Sequence, residues 1–238
     1  MPKKNEQLNH HALPHAEDGK LAGKDPGAAA SRKDAIMHSA LKLFLEQGYF
    51  NTTLRQIAQD SNSSASLIVY HFGSKQAIAS EFLQMKLHEL QQELVKIIDM
   101  RTEPELFCCT FVRLYQTVMS APAFCKFYHD MIEEGLFQKF FFSEGSAIKP
   151  SDLILVKHQV HLSSELYTFY SRYILPGIEM AAWISAGEDA PSDEKLDMPF
   201  RTLMGIIYVD KEDVDRYCAQ AKELVNRILQ EHPEYLSY

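Results

Sequence analysis

The sequence predicts an all-α protein, with a helix-turn-helix head of three helices followed by a larger helical body. Two observations carry this. Helix-capping patterns recur at Ser31–Asp34, Thr53–Gln56 and Thr102–Glu105, each placing an N-cap oxygen three residues before a side chain able to reach back. Apolar residues return every three or four positions through most of the chain, the period of an amphipathic helix. At 238 residues the chain is long enough to bury a core without disulfide or metal staples.

Residues 1–30 are polar and rich in helix breakers, and are expected to form a disordered arm. Its four lysines are matched by four acids, and His10, His11 and His15 read as ordinary tail residues. Ser31 is expected to cap a first helix over 32–47, with Ile36, Ala40, Leu43, Phe44 and Gln47 on one stripe and Gly48 as its stop. Thr53 opens a short second helix whose inward face is Leu54, Ile57 and Ala58. In the turn Asp60-Ser-Asn-Ser, Asn62 accepts a left-handed backbone at low cost. Ser64 then caps a third helix, about 65–71, and Ser74 a fourth, 75–98, continuing through Ile78, Phe82, Met85 and Leu90. This is helix-turn-helix spacing, in which the second short helix enters a groove; a plain helical hairpin inside an all-α core shares it.

Composition narrows the classes. No run of 18 apolar residues occurs and the first residues, Met1-Pro-Lys-Lys, lack a signal-peptide pattern, so a cytosolic protein without a membrane span is expected. The four cysteines show no metal-ribbon or disulfide spacing. A net charge of −8 argues against nucleic acid until it is divided along the chain. Residues 1–75 hold nine basic and seven acidic residues, whereas residues 76–238 hold fifteen and twenty-five. An acidic body therefore carries a mildly basic head, and only the head need meet a polyanion.

The residues of that head carry a resemblance. Ala40, Leu43-Phe44, Gly48-Tyr49, Thr52-Thr53 and Ile57-Ala58, followed by Ser63-Ser64-Ala65-Ser66-Leu67-Ile68-Val69-Tyr70-His71-Phe72 and Ser74-Lys75, are similar to the DNA-binding domain of the tetracycline-repressor (TetR) family. About 45 residues are covered. Asn62, Ser66 and Val69 depart from the family's usual Gly, Gly and aromatic at those places. The resemblance implies that Tyr70, His71 and Lys75 contact phosphates, a role that Thr53 and Lys75 also suit as helix N-terminal residues. Base readout would fall to Ser63, Ala65, Ser66 and Val69, with Ser64 at the helix entrance. Few of these are bidentate readers, so much of the specificity is expected from DNA shape and from dimer spacing.

The remainder reads as helical. Thr102 is expected to cap a helix bearing Phe107, Phe111 and Tyr115, and Pro122 to open the next. Pro176-Gly177 should kink or split the apolar-periodic stretch 151–186, and residues 186–192 form a loop before helices over 194–208 and 211–231. Fifteen of the 26 aromatic residues lie between residues 104 and 183. Phe107, Phe111, Tyr115, Phe127, Tyr128, Tyr167, Tyr170 and Trp183, with Phe124, Phe137 and Tyr173, could line an apolar cavity or simply pack as core; the resemblance implies that this domain holds a small-molecule effector. His158 and His161, even with His129, lack a metal motif, and no metal or cofactor is proposed from the sequence. Cys108 and Cys109 would sense oxidants if one were exposed with a depressed pKa, but their place beside Phe107 and Phe111 points to at least one buried, inert thiol. The stripes of the last two helices, Phe200 to Tyr208 and Val214 to Leu229, could complete the core or pair with a second copy; the family does the latter.

The domains expected are an arm (1–30), a helix-turn-helix DNA-binding domain (31–75) with helix four (75–98) as connector, and an effector-binding and dimerisation domain (99–238). The function expected is a homodimeric regulator, a repressor released from a palindromic DNA operator by a small apolar or aromatic effector that tilts helix four. An interaction adaptor without DNA binding is the alternative. An α-helical enzyme is the weaker one, because no nucleophile–base pair, phosphate loop or metal signature emerges.

Overall fold

The computed structural model describes residues 26–136, 150–187 and 189–237. All regular structure among them is helical. The head comprises α1 (Pro26–Gln47), α2 (Leu54–Asp60), α3 (Ala65–Phe72) and the long α4 (Lys75–Leu94). The body follows with α5 (Pro104–Met119), α6 (Cys125–Glu133), α7 (Pro150–Lys157), α8 (Ser164–Phe169), a π-turn (Tyr170–Ile174), α9 (Leu175–Ala186), α10 (Asp193–Leu196), α11 (Met198–Ile206), α12 (Lys211–Glu231) and a final 3₁₀ turn (Pro233–Leu236). No described helix is long and apolar enough to cross a membrane.

Several boundaries differ from the sequence reading. Ser31 is not an N-cap, because α1 already begins at Pro26. Proline suits a first turn, and Ala28–Ala30 are the strongest helix formers, so the helix extends back through Ser31. The rest of the arm, with His10, His11 and His15, lies outside the described residues. Helix α4 stops at Leu94 rather than 98, where Lys96 and Ile97 bond three residues back and tighten the backbone. On α4, Ile78, Ala79, Phe82, Leu83, Leu90 and Leu94 are buried, while Met85 is 56% exposed.

Thr102 forms no capping box. Its hydroxyl turns to the Asp99 carbonyl, and Glu105 is taken away by Lys157 (2.6 Å) and the His158 ring (2.7 Å). Pro122 lies in a turn before α6. The stretch 150–186 breaks first at residues 158–163, where Gln159 has φ +54°. Pro176 does distort the chain: its missing N–H follows directly on the π-turn.

Two apolar cores result. The larger joins α1, α2, α3 and α4 to α5 and α6, and takes in Trp183 of α9 and Val225 and Ile228 of α12. The smaller lies between α5, α7, α11 and α12. Helix α12 spends its stripe, Val214, Cys218, Ala221, Val225 and Ile228, within its own chain, so that this stripe is not left for a second copy.

Head and body meet on α6. Phe127 stacks on Phe44 of α1 with centroids 5.6 Å apart and meets Phe82 of α4 edge-on at 5.7 Å. The Tyr49 N–H, buried after α1, donates to Asp130 Oδ2 at 2.8 Å. Burying each of these rings contributes about 1.5–3 kcal/mol, against about 1.5–3 kcal/mol for a hydrogen bond to a charged group. The rings outnumber the bond and supply most of the adhesion; the bond, being directional, fixes orientation.

Gly48 makes this approach possible. It has φ +91°, and a Cβ there would stand 3.1 Å from Lys126 Cε and 3.2 Å from Asp130 Oδ2. On the opposite side of α6, Tyr128 donates to Glu179 Oε1 (2.7 Å) and shares a 2.5 Å hydrogen bond with the Tyr115 hydroxyl. Burial pushes the Glu179 carboxyl well above its ordinary range.

Two outcomes are expected. Gly48→Ala should lower the unfolding free energy by about 1–2 kcal/mol, read as a lower urea midpoint, because it combines a left-handed alanine with the crowding at Asp130. An unchanged midpoint would contradict the seam. Burial raises the Glu179 pKa in the folded chain above that in the unfolded chain, so native protein binds protons more tightly there and this group's contribution to stability falls as pH rises above the ordinary carboxylate range. Glu179→Gln should therefore gain stability relative to the parent as pH rises above the ordinary carboxylate range, in thermal melts across a pH series. A constant difference would show that Glu179 does not titrate with folding.

Candidate nucleic-acid interface

The surface that could meet DNA is built by three caps in succession. The Thr53 hydroxyl accepts the Gln56 N–H at 3.3 Å while Gln56 Oε1 accepts the Thr53 N–H at 2.8 Å, a complete capping box that starts α2. Asn62 takes the left-handed conformation, φ +48°, and the Ser63 N–H closes the turn on the Ala58 carbonyl at 2.8 Å. Ser64 Oγ accepts the Leu67 N–H at 3.2 Å and starts α3; Ser74 Oγ accepts the Ala77 N–H at 3.1 Å and starts α4. Gly73, φ +80°, ends α3 between them.

Helix α3 is anchored by Ile68 and Phe72, both buried. That leaves Ala65, Ser66, Val69 and Tyr70 exposed on its outward face, with Val69 at 50% and Tyr70 at 71%. Exposure of two large apolar groups side by side on an eight-residue helix is costly in water, and a docking surface recovers that cost. Ser66 shares a 2.9 Å hydrogen bond with Ser64. Ser63 is half-buried and donates to the Ser61 carbonyl at 3.2 Å. His71 is half-buried, its ring 5.2 Å from that of Tyr70. Thr53 is exposed at the start of α2.

Lys75 is placed otherwise than expected. Its ammonium donates to the Tyr49 and Thr52 carbonyls, at 2.8 and 2.9 Å, and lies 4.0 Å from the Tyr49 ring centroid. Burial depresses its pKa. The side chain ties the α1–α2 loop to α4, so what Lys75 can offer a phosphate is its main-chain N–H in the first turn of α4. Arg55 was missed by the sequence reading. It is exposed in the first turn of α2, two residues after Thr53, and makes no ion pair among the described residues, whereas Lys33 and Lys42 are held by Glu81 and Asp60. A cation two residues after a capping residue was the available signal.

The aromatic residues of the body separate into distinct places. Phe107, Tyr115, Phe127, Tyr128 and Trp183 are fully buried core, with Phe111 half-buried beside them. Tyr128 meets Trp183 edge-on at 4.8 Å. Phe124 and Phe127 belong to the head–body seam, so they serve packing there. Tyr167 and Tyr170 lie apart, with Leu155, Leu175 and Leu203, around a cavity of about 20 Å³, and Tyr167 bonds to Asp152. Tyr173 lines an open groove with Leu166 and Phe169. Phe137 lies outside the described residues. Trp183 Nε1 is buried without a hydrogen-bond partner among the described residues. Burial pushes the Cys108 thiol up to about 12, which suits an inert role.

Residues 36–82 match the family model described as bacterial regulatory proteins, tetR family. The chain is 37% identical over 106 residues to the HTH-type transcriptional regulator HbdR of Aromatoleum sp. (strain CIB), covering 44% of this chain and 46% of that protein. It is 31% identical over 84 residues to the HTH-type transcriptional repressor KstR2 of Mycolicibacterium smegmatis, covering 35% and 41%. The chain spans less than half the length of either relative. A solved structure of the TetR family protein CprB from S. coelicolor A3(2) aligns with TM-score 0.45 at 14% identity, over 82% of this chain and 98% of that one, a likeness too low to bear on the body. Capped, turned and anchored in this way, residues 36–82 are the N-terminal helix-turn-helix domain of the bacterial TetR family of regulatory proteins.

Proposed function

We propose that this protein is a cytoplasmic, homodimeric transcription regulator, a repressor that leaves a palindromic operator when a small apolar or aromatic effector binds its body. The observation that carries the reading is the outward face of α3, where Ala65, Ser66, Val69 and Tyr70 stand exposed on a helix anchored from beneath. In this reading α3 enters the major groove. Ser66 and Ser63 offer hydroxyls to base edges, while Ala65 and Val69 meet thymine methyls. Tyr70, His71, Thr53 and Arg55, with Ser64 and the main chain of Lys75 at helix N-termini, hold phosphates.

Two heads must be presented about 34–36 Å apart along the duplex, which requires a dimer. Because the α12 stripe is buried internally, the face that suits a second copy is the continuous helical stretch from α8 through the π-turn to α9, where Leu166, Phe169, Tyr173 and Ile184 are each between 47% and 59% exposed. The effector acts through α6. One face of that helix holds the head by Phe127 and Asp130, and the other holds the body by Tyr128. An effector accepting a hydrogen bond from Trp183 Nε1 would lodge between α6 and α9 and displace the helix that aims the head. By linkage, DNA and effector then each weaken the other.

Binding to duplexes taken from either side of the protein's own coding region checks the first part. Affinity should fall with log salt by about 0.9 per phosphate neutralised. Tyr70→Ala should weaken all sequences alike, and Ser66→Ala should change their ranking by about 1–3 kcal/mol at one base pair. Salt-independent binding, or none, would favour the adaptor. Phe169→Glu with Tyr173→Glu should convert dimer to monomer in sedimentation and abolish operator binding with helicity intact; a dimer that persists would move the interface elsewhere.

A further inference from the structure

Outside the head and its seam, one cluster of ligating side chains has no part in the reading above. Cys109 of α5 and Cys218 of α12, 109 residues apart in sequence, bring their sulfurs to 3.8 Å in the smaller core. A carboxylate oxygen of Asp197, at the joint between α10 and α11, lies with both sulfurs inside a span of 4.8 Å, and all three residues are buried. We propose that Cys109, Cys218 and Asp197 bind a tetrahedral, thiophilic divalent cation of the zinc class.

Geometry and charge both support this. Zn–S bonds of about 2.3 Å at the tetrahedral angle place two sulfurs about 3.8 Å apart, the separation found here. A disulfide needs about 2.05 Å and would draw α5 and α12 together. Three anionic ligands on a divalent ion leave one negative charge in a dry core. Arg113, its side chain 4% exposed, balances it: Nη1 donates to Asp197 Oδ1 at 2.5 Å, while Nη2 pairs with Asp193, whose other oxygen is held by Lys222. That bond also orients the carboxylate, as a metal ligand's hydrogen-bond partner does. Binding releases both thiol protons to solvent, forms two metal–sulfur bonds and one metal–oxygen bond, and leaves the fourth position for a water. The ion would join α5, α12 and the α10–α11 joint.

The test uses the reduced full-length chain and cobalt(II) as a probe. One equivalent per chain should bind, with sulfur-to-cobalt charge transfer in the near ultraviolet and tetrahedral visible bands that zinc bleaches. Cys109→Ser and Cys218→Ser should each weaken cobalt binding by at least about tenfold and lose charge-transfer intensity. A second measurement needs no variant: zinc should slow alkylation of Cys109 and Cys218 relative to Cys125, which lies outside the cluster. Absence of the charge-transfer band, its survival in both serine variants, or equal alkylation with and without zinc would overturn the proposal. Cobalt held by the histidines at positions 10, 11 and 15 would show no sulfur band and would count against it as well.

Discussion

The carboxylate of Asp130, accepting the N–H of Tyr49 across the boundary between head and body, is the constraint around which the chain is arranged. The main-chain donor at the end of α1 reaches α6 past Gly48, whose positive φ favours glycine and where a Cβ would crowd Lys126 and Asp130. The carbonyl of that same Tyr49 takes the ammonium of Lys75, so both polar groups of one peptide unit are fixed, one to the body and one to α4. Around this point the rings of Phe44, Phe82, Phe124 and Phe127 exclude water, which makes the polar contacts stronger and their loss more costly. The direction of α3 follows, because α3 is held to α1 and α4 by Ile68 and Phe72.

This makes α6 a two-faced element. Its head-facing side is aromatic with one acidic acceptor, Asp130; its body-facing side ends in a chain of Tyr115, Tyr128 and Glu179, in which burial raises the carboxyl's pKa well above its ordinary range. A helix held by directional bonds on both faces cannot slide continuously, and small shifts on one side are passed to the other as discrete repacking. The sequence reading assigned the connecting role to α4 alone. The structure adds α6 as a second link.

Much of the head was legible in the sequence because its determinants are local. Thr53, Ser64 and Ser74 each cap a helix through hydroxyls that act within three residues, and Asn62 turns the chain by its own backbone preference. What failed depended on distant partners. Thr102 and Glu105 have the right spacing for a box, but Lys157 and His158, some fifty residues on, claim the carboxylate. Lys75 reads as a phosphate ligand by position, yet two carbonyls and the Tyr49 ring take its ammonium inward. The aromatic set could not be divided into seam, core and surface because period alone does not say which helix lies opposite. The same applies to Cys109 and Cys218, whose meeting is created by the packing of α12 on α5.

Hydrogen exchange of the full chain, free and bound to a duplex from the flank of its own coding region, tests the central claim most directly. The account predicts that DNA protects amides from Thr53 through Lys75, concentrated on α3 and the first turns of α2 and α4, while the Tyr49 amide is already slow in the free protein. Protection confined to the body, or a Tyr49 amide that exchanges freely without DNA, would contradict it.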